Sequence, residues 1–130
     1  MDRVAAPAAS GSAPRARSLV GLILLVLAVT AAAEGWRAWA DRSAGREAAA
    51  LAMPGDIVML ASDTCGYCAQ ARHWFAAHEV PFSECSIERD APCAERFAAL
   101  RAPGTPVILV RDRPQVGFSA QRVAEALRRS

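Results

Sequence analysis

Sixteen consecutive residues without a charge, Ser18 to Ala33, dictate how this chain of 130 residues is organised. The run is Ser-Leu-Val-Gly-Leu-Ile-Leu-Leu-Val-Leu-Ala-Val-Thr-Ala-Ala-Ala, and burying it in a small soluble domain would need apolar partners on every face. It is therefore read as a segment made for lipid or for the export machinery. An uncleaved anchor over 18–39 comes first, because the run can extend to Trp36 and Trp39, whose indoles suit a membrane interface. A cleaved signal peptide comes second: Leu19 to Val29 has the length of an h-region, Arg15 and Arg17 precede it, and Ala31-Ala32-Ala33 is an A-x-A pattern. The aperiodic Ala/Pro/Ser/Arg stretch ahead of it, 1–17, reads as a disordered tail. Residues 40–55 read as a helical stalk and linker, ended by Met53-Pro54-Gly55.

Both readings put residues 56–130 outside the cytoplasm, tethered to the inner (cytoplasmic) membrane or exported to the periplasm. Arg3, Arg15 and Arg17 on a short N-terminal segment favour keeping that end inside, while Arg37, Arg42 and Arg46 balance the count and leave an inverted orientation open.

What remains is one compact domain of about 75 residues. It is neutral, with nine Arg against nine acids, whereas residues 1–53 hold six Arg against four acids. No basic run is longer than Arg128-Arg129, so the footprint that counterion release from nucleic acid requires is missing and nucleic acid is not an expected partner.

The domain alternates strand-like and helix-like segments. Ile57 to Ala61 is a short apolar run suited to a buried strand. Tyr67 to His78 places Ala71, Trp74 and Phe75 at helical spacing, with Arg72 and His73 on the polar face. Phe82 to Ile87 alternates as a second strand. Asp90 offers an N-cap, with Pro92 tolerated in the first turn, for a helix ending at Leu100. Val107 to Val110 is the strongest strand signal, followed by a turn at Arg111-Asp112-Arg113-Pro114 and a short strand around Gln115 to Gly117. Ser119 caps a last helix to Arg128, with Val123, Ala124 and Leu127 on its inner stripe. The order βαβαββα makes this an α/β domain with a parallel pair followed by a hairpin. Trp74, Phe75, Phe82, Phe97 and Phe118 are its large core candidates.

Chemistry enters at Cys65-Gly66-Tyr67-Cys68, two thiols separated by two residues between a strand and a helix. Free N–H groups and the positive dipole end at a first helical turn favour a thiolate, so Cys65 is the expected nucleophile. Cys68, one turn on and facing inward, is placed to resolve a mixed disulfide on Cys65. A plain staple or half of a zinc site is the bland alternative, weighed down by the strand-to-helix context. Cys85 and Cys93, on the second strand and at the start of the second helix, complete an even count of four. In an oxidising compartment they are expected to close a short structural disulfide, provided their Cα atoms come within about 4.4 to 6.8 Å. They lack the close ligand spacing of zinc knuckles, and no metal ligand is assigned. His73 is expected on a polar helix face and His78 at a helix end.

The order Ile57-Val58-Met59-Leu60, Cys65-Gly66-Tyr67-Cys68, Ala71-Arg72, Val80-Pro81-Phe82, Ile87-Glu88-Arg89-Asp90, Gly104-Thr105-Pro106-Val107 and Gly117-Phe118 resembles the successive landmarks of the glutaredoxin family within the thioredoxin fold. The resemblance spans 56–130. It implies a cis-proline at Pro106 beside the dithiol, with the Thr105 backbone pairing to an extended substrate segment. Tyr67, Thr105, Pro106, Gly117 and Phe118 are its implied substrate-binding residues. Where glutathione-binding members carry Pro-Tyr, a preceding basic residue and an acid near the last helix, this chain has Gly66-Tyr67, Asp63 and Gly117-Phe118-Ser119-Ala120-Gln121. The carboxylate that would hold a glutathione amino group is thus absent, and glutathione is not an implied obligatory partner.

The expected function is a thiol-disulfide oxidoreductase without a prosthetic cofactor, exchanging disulfides with protein or glutathione-mixed substrates and served by an unidentified reductant or oxidant. A non-catalytic thiol-based metal-binding or interaction module on the same fold is the alternative.

Overall fold

The computed structural model describes residues 13–129, with side chains from Arg17 onward. Of the tail assigned to 1–17, residues 1–12 lie outside that range, and 13–17 are helical instead. Ala13–Leu51 forms one uninterrupted helix, α1. Pro14 falls in its first turn, where a missing N–H costs no helical hydrogen bond. The helix also continues through the boundary drawn between 39 and 40, because Glu34 to Leu51 contains no breaker beyond the isolated Gly35 and Gly45. Pro54 and Gly55 (φ 94°) stop it, with the Met53 N–H donating to the Asp56 carboxylate at 3.0 Å.

The chain falls into two units, Met1–Arg37 and Ala38–Ser130. The first is carried by α1. Its Leu19, Ile23, Leu24 and Val29 are more than half exposed, and this helix is long and apolar enough to cross a membrane.

The second unit starts earlier than the domain boundary at 56 read from the sequence. Ala44 and Ala48 of α1 are buried in the main core beside Trp74 and Phe75, so this stretch is a packed element and not a bare stalk. Small side chains at i and i+4 let the helix approach closely. Gly45 meets the His78 ring, which a Cβ there would overlap.

Four strands, β1 (Ile57–Ala61), β2 (Ser83–Ser86), β3 (Val107–Val110) and β4 (Arg113–Val116), form a mixed sheet in the order β2-β1-β3-β4. β1 and β2 are parallel, and β3 runs antiparallel to both β1 and β4. Between them lie α2 (Gly66–Ala77) and α3 (Ala91–Leu100), with α4 (Ala120–Arg128) last. This is the βαβαββα order of a thioredoxin-like fold. β1 and β3 are central and apolar throughout, so both faces are covered. Ile57, Met59, Ala61, Ile108 and Val110 face α2, α4 and the end of α1. Leu60, Val107 and Leu109 face the other side, where Cys85, Ile87, Phe97 and Leu100 pack.

Two details depart from the sequence expectation. The strand at 82–87 is shortened to Ser83–Ser86. β4 begins at Arg113, not near Gln115, because the hairpin turn takes only two residues: Arg111 and Asp112 both adopt positive φ, at 47° and 65°. That is the primed-turn geometry that matches strand twist. It is held without glycine because the Arg111 N–H donates to Asp56 O at 2.7 Å and its guanidinium reaches Leu127 O, Leu51 O and the Asp56 carboxylate. Pro114 is tolerated because β4 is an edge strand.

Candidate functional site

Strand direction decides which loops share the end of the sheet where α2 begins. β1 and β2 are parallel, so the segments after Ala61 and after Ser86 emerge together. β3 is antiparallel to β1 with Leu60 opposite Val107, which brings Thr105-Pro106 to that end, and Val107 opposite Val116 brings Gly117-Phe118 there too. The sequence-predicted site residues, scattered from 65 to 118, therefore converge by register alone.

Cys65 is the N-cap of α2, with extended backbone (φ −86°, ψ 108°), and its Sγ accepts the Cys68 N–H at 3.0 Å. Its own N–H closes a tight turn onto Ser62 O at 3.3 Å. Cys65 is half-buried at the surface, whereas Cys68 is fully buried in the main core. The two are joined as a disulfide with Cα atoms 5.2 Å apart. When the bond opens, a sulfur at this cap faces amide hydrogen and the positive end of the helix, which favours the thiolate.

Tyr67 is exposed on the first turn of α2. The Thr105-Pro106 bond is cis, Thr105 is half-buried and Pro106 fully buried. Gly117 adopts φ 73° and donates its N–H to Pro106 O at 2.8 Å, tying the loop after β4 to the cis-proline segment. Phe118 also belongs to the core, with ring centroids 5.3 Å from Trp74 and 5.6 Å from Phe75.

Ser62, Glu88 and Arg89, given no role by the sequence reading, line the same end together with Asp63. The Glu88 carboxylate accepts from Ser62 Oγ at 2.6 Å and from the Asp63 N–H at 3.2 Å, and Arg89 pairs with Asp63 at 2.8 Å. The Ser62 hydroxyl foremost, with the Asp63 amide in support, holds the Glu88 carboxyl below the usual carboxylate range although desolvation opposes it. The only signal for them was the place of Glu88-Arg89 after the second strand, at the sheet end where α2 starts. Farther along α2, Arg72 forms a fork with Glu84 at 2.8 and 2.6 Å, lowering the Glu84 carboxyl and raising the Arg72 guanidinium.

His78 departs from a simple solvated helix end. It is half-buried, lies 3.4 Å from Asp41 and contacts the Trp74 ring, while Trp74 Nε1 donates to the other Asp41 oxygen at 3.0 Å. His73 is exposed.

Cys85 and Cys93 are joined as a second disulfide with Cα atoms 5.7 Å apart. Cys93 lies in the first turn of α3, its N–H donating to the N-cap Asp90 at 3.4 Å. The Asp90 carboxylate and both sulfurs lie within 4.8 Å of one another.

Residues 57–114 match the family model for glutaredoxin. The match runs from β1 through the cysteine pair to the start of β4. Similar solved structures include the thioredoxin-like protein BC3987, at 17% identity over 54% of this chain and 97% of that one, TM-score 0.49. A point mutant of it stands at 19% over 55% and 97%, TM-score 0.49. A glutaredoxin from Archaeoglobus fulgidus stands at 16% over 56% and 86%, TM-score 0.47. No curated protein matches the chain.

Proposed function

We propose that this glutaredoxin-family domain is a thiol-disulfide oxidoreductase that exchanges disulfides with protein substrates through Cys65 and Cys68. The observation that carries the reading is the asymmetry of the pair: a half-exposed sulfur capping α2 and a buried one behind it.

In the reducing direction the Cys65 thiolate attacks one sulfur of a substrate disulfide, forming a Cys65-substrate bond and expelling the other substrate sulfur as thiolate. Cys68, as thiolate, then attacks Cys65 Sγ, closing the Cys65–Cys68 disulfide and releasing the second substrate thiolate. Two electrons pass from the dithiol to the substrate, and every step reverses when the protein acts as oxidant. Thr105 and Pro106 offer extended backbone to a substrate segment, flanked by Tyr67, Gly117 and Phe118. The chemistry needs no prosthetic cofactor. A protein disulfide is the favoured substrate over glutathione, because this end of the sheet carries Asp63 and Glu88 and the loop at 117–121 has no acid.

The apolar helix before Arg37 serves as a membrane tether, with the domain outside the cytoplasm. Its exposed leucines and valines support that role.

The test is a Cys68→Ser chain expressed in cells. Attack on Cys65 is then blocked, and mixed disulfides with partner proteins accumulate and dissolve on reduction. Recovery of no adduct, together with no reduction of a model protein disulfide by the unaltered chain, refutes the reading.

A further inference from the structure

The two disulfides sit on opposite faces of one sheet. Cys68 is buried with Met59, Ala61 and Ile108, whereas Cys85 packs against Leu60, Val107 and Leu109. Direct exchange between them would require the sheet to open, so any link between the pairs must be mechanical or electrostatic.

Such a link is present in the loop the second disulfide closes. Residues 86–92 lie between Cys85 and Cys93, and within them Glu88 and Arg89 reach across to the segment that delivers Cys65. Glu88 bonds Ser62 Oγ and the Asp63 N–H, and Arg89 pairs with Asp63. The Cys65 N–H closes its turn on Ser62 O, so the carboxylate rests on the turn that carries the nucleophile. Ser86 joins the same knot, its hydroxyl 3.4 Å from Glu88 and accepting from the Arg89 N–H at 3.3 Å.

We propose that the Cys85–Cys93 disulfide is a clamp that holds Glu88, as a positioning residue, against the Ser62-Asp63 turn and thereby restrains ionisation of Cys65. A carboxylate beside a forming thiolate is a like charge and disfavours it. The other charges around this turn are Asp63 with its partner Arg89, and Arg72 with its partner Glu84, whose Arg72 also feels Asp63. Arg89 also acts on Glu84, and Asp90, the other acid of the loop, caps α3; among the described residues neither Arg72 nor Arg89 forms an ion pair with Glu88, the carboxylate that rests on the turn. The clamp thus opposes part of what the helix end provides, and the nucleophile is less acidic with the second disulfide closed than with it open.

The proposal rests on Cys65 being the nucleophile, and its test separates the two claims. In a full-length Cys68→Ser background in detergent, Cys65 is the one cysteine outside the second bridge. The pH dependence of its alkylation by iodoacetamide reports its ionisation without any turnover. Glu88→Gln keeps an acceptor for Ser62 and removes the charge, and it should lower the midpoint by about half a unit to one unit, which is about three- to tenfold more thiolate below the midpoint. Replacing both Cys85 and Cys93 by Ala should lower it in the same direction by a smaller amount. Combining the changes should lower it no further than Glu88→Gln alone, because the bridge acts through Glu88. Should the bridge-free chain fail to fold, Ser62→Ala keeps the bridge, removes a Glu88 partner and must also lower the midpoint. Midpoints that do not move in folded variants, or effects of bridge and charge that simply add, overturn the clamp. If the unaltered chain exchanges disulfides but the midpoints stay fixed, only the clamp falls. If the midpoints move but no disulfide is exchanged, only the enzymatic reading falls.

Discussion

Each cysteine pair of this domain has a member at the start of a helix, yet the two helix ends are built in opposite ways. At α2 the sulfur of Cys65 is itself the cap and accepts the Cys68 N–H. At α3 a carboxylate, Asp90, is the cap and Cys93 is buried behind it, 3% exposed. The first arrangement directs backbone amide polarity at a sulfur that solvent can reach. The second directs it at Asp90 and leaves the sulfur beside a negative charge, which disfavours a thiolate. Helix position alone therefore does not make a cysteine reactive; the atom that occupies the cap does.

The largest expected effect of breaking this contrast is at Cys65. Cys65→Ser should lower disulfide exchange by ~10³-fold or more, since a hydroxyl is not ionised at neutral pH, as steady-state reduction of a protein disulfide would read. Next comes accessibility to reduction. Limited dithiol treatment of the folded chain followed by mass mapping of alkylated cysteines should label Cys65 at least about tenfold faster than Cys93. Equal labelling would erase the distinction between the two helix starts.

Removing the second bridge with Cys85→Ala and Cys93→Ala should cost about 2 to 3 kcal/mol in urea unfolding, the loop-entropy value for a separation of 8 residues. Asp90→Ala should cost about 1 kcal/mol through the lost cap while leaving exchange through Cys65 intact. The smallest effect is acidic. Glu88 has a lowered carboxyl in the folded chain, so its contribution to stability is present above its unfolded value of about 4.3 and is lost as pH falls through the folded one. Glu88→Gln should lower stability slightly at neutral pH, converge on the unaltered chain at acid pH, and so flatten the curve below about pH 4.3.

The strands and helices were legible because each follows a local rule. Alternation and apolar runs marked β1 and β3, and Asp90 and Ser119 marked their helices as caps, as found. The candidate pair at Cys65 and Cys68 was legible because strand, two-residue spacer and helix are contiguous. The two-residue turn at Arg111-Asp112 was not, because its positive φ values are enforced by Asp56, Leu51 and Leu127, all more than a dozen residues away. The end of α1 was not legible either: Ala44 and Ala48 give a weak pattern, and their burial depends on Trp74, Phe75 and His78 from another helix. Glu88 had no local mark, since its partners Ser62 and Asp63 lie more than twenty residues earlier.

By itself the sequence determined the apolar N-terminal helix, the order βαβαββα and the dithiol at a helix start, all of which follow from the spacing of neighbours along the chain. Only the tertiary structure decided which loops meet at the end of the sheet, that the last turns of α1 belong to the core, and that the loop of one disulfide rests on the turn of the other. Those outcomes depend on strand register and on charges brought together from distant segments, and pairings of that kind leave no periodic trace in a single sequence.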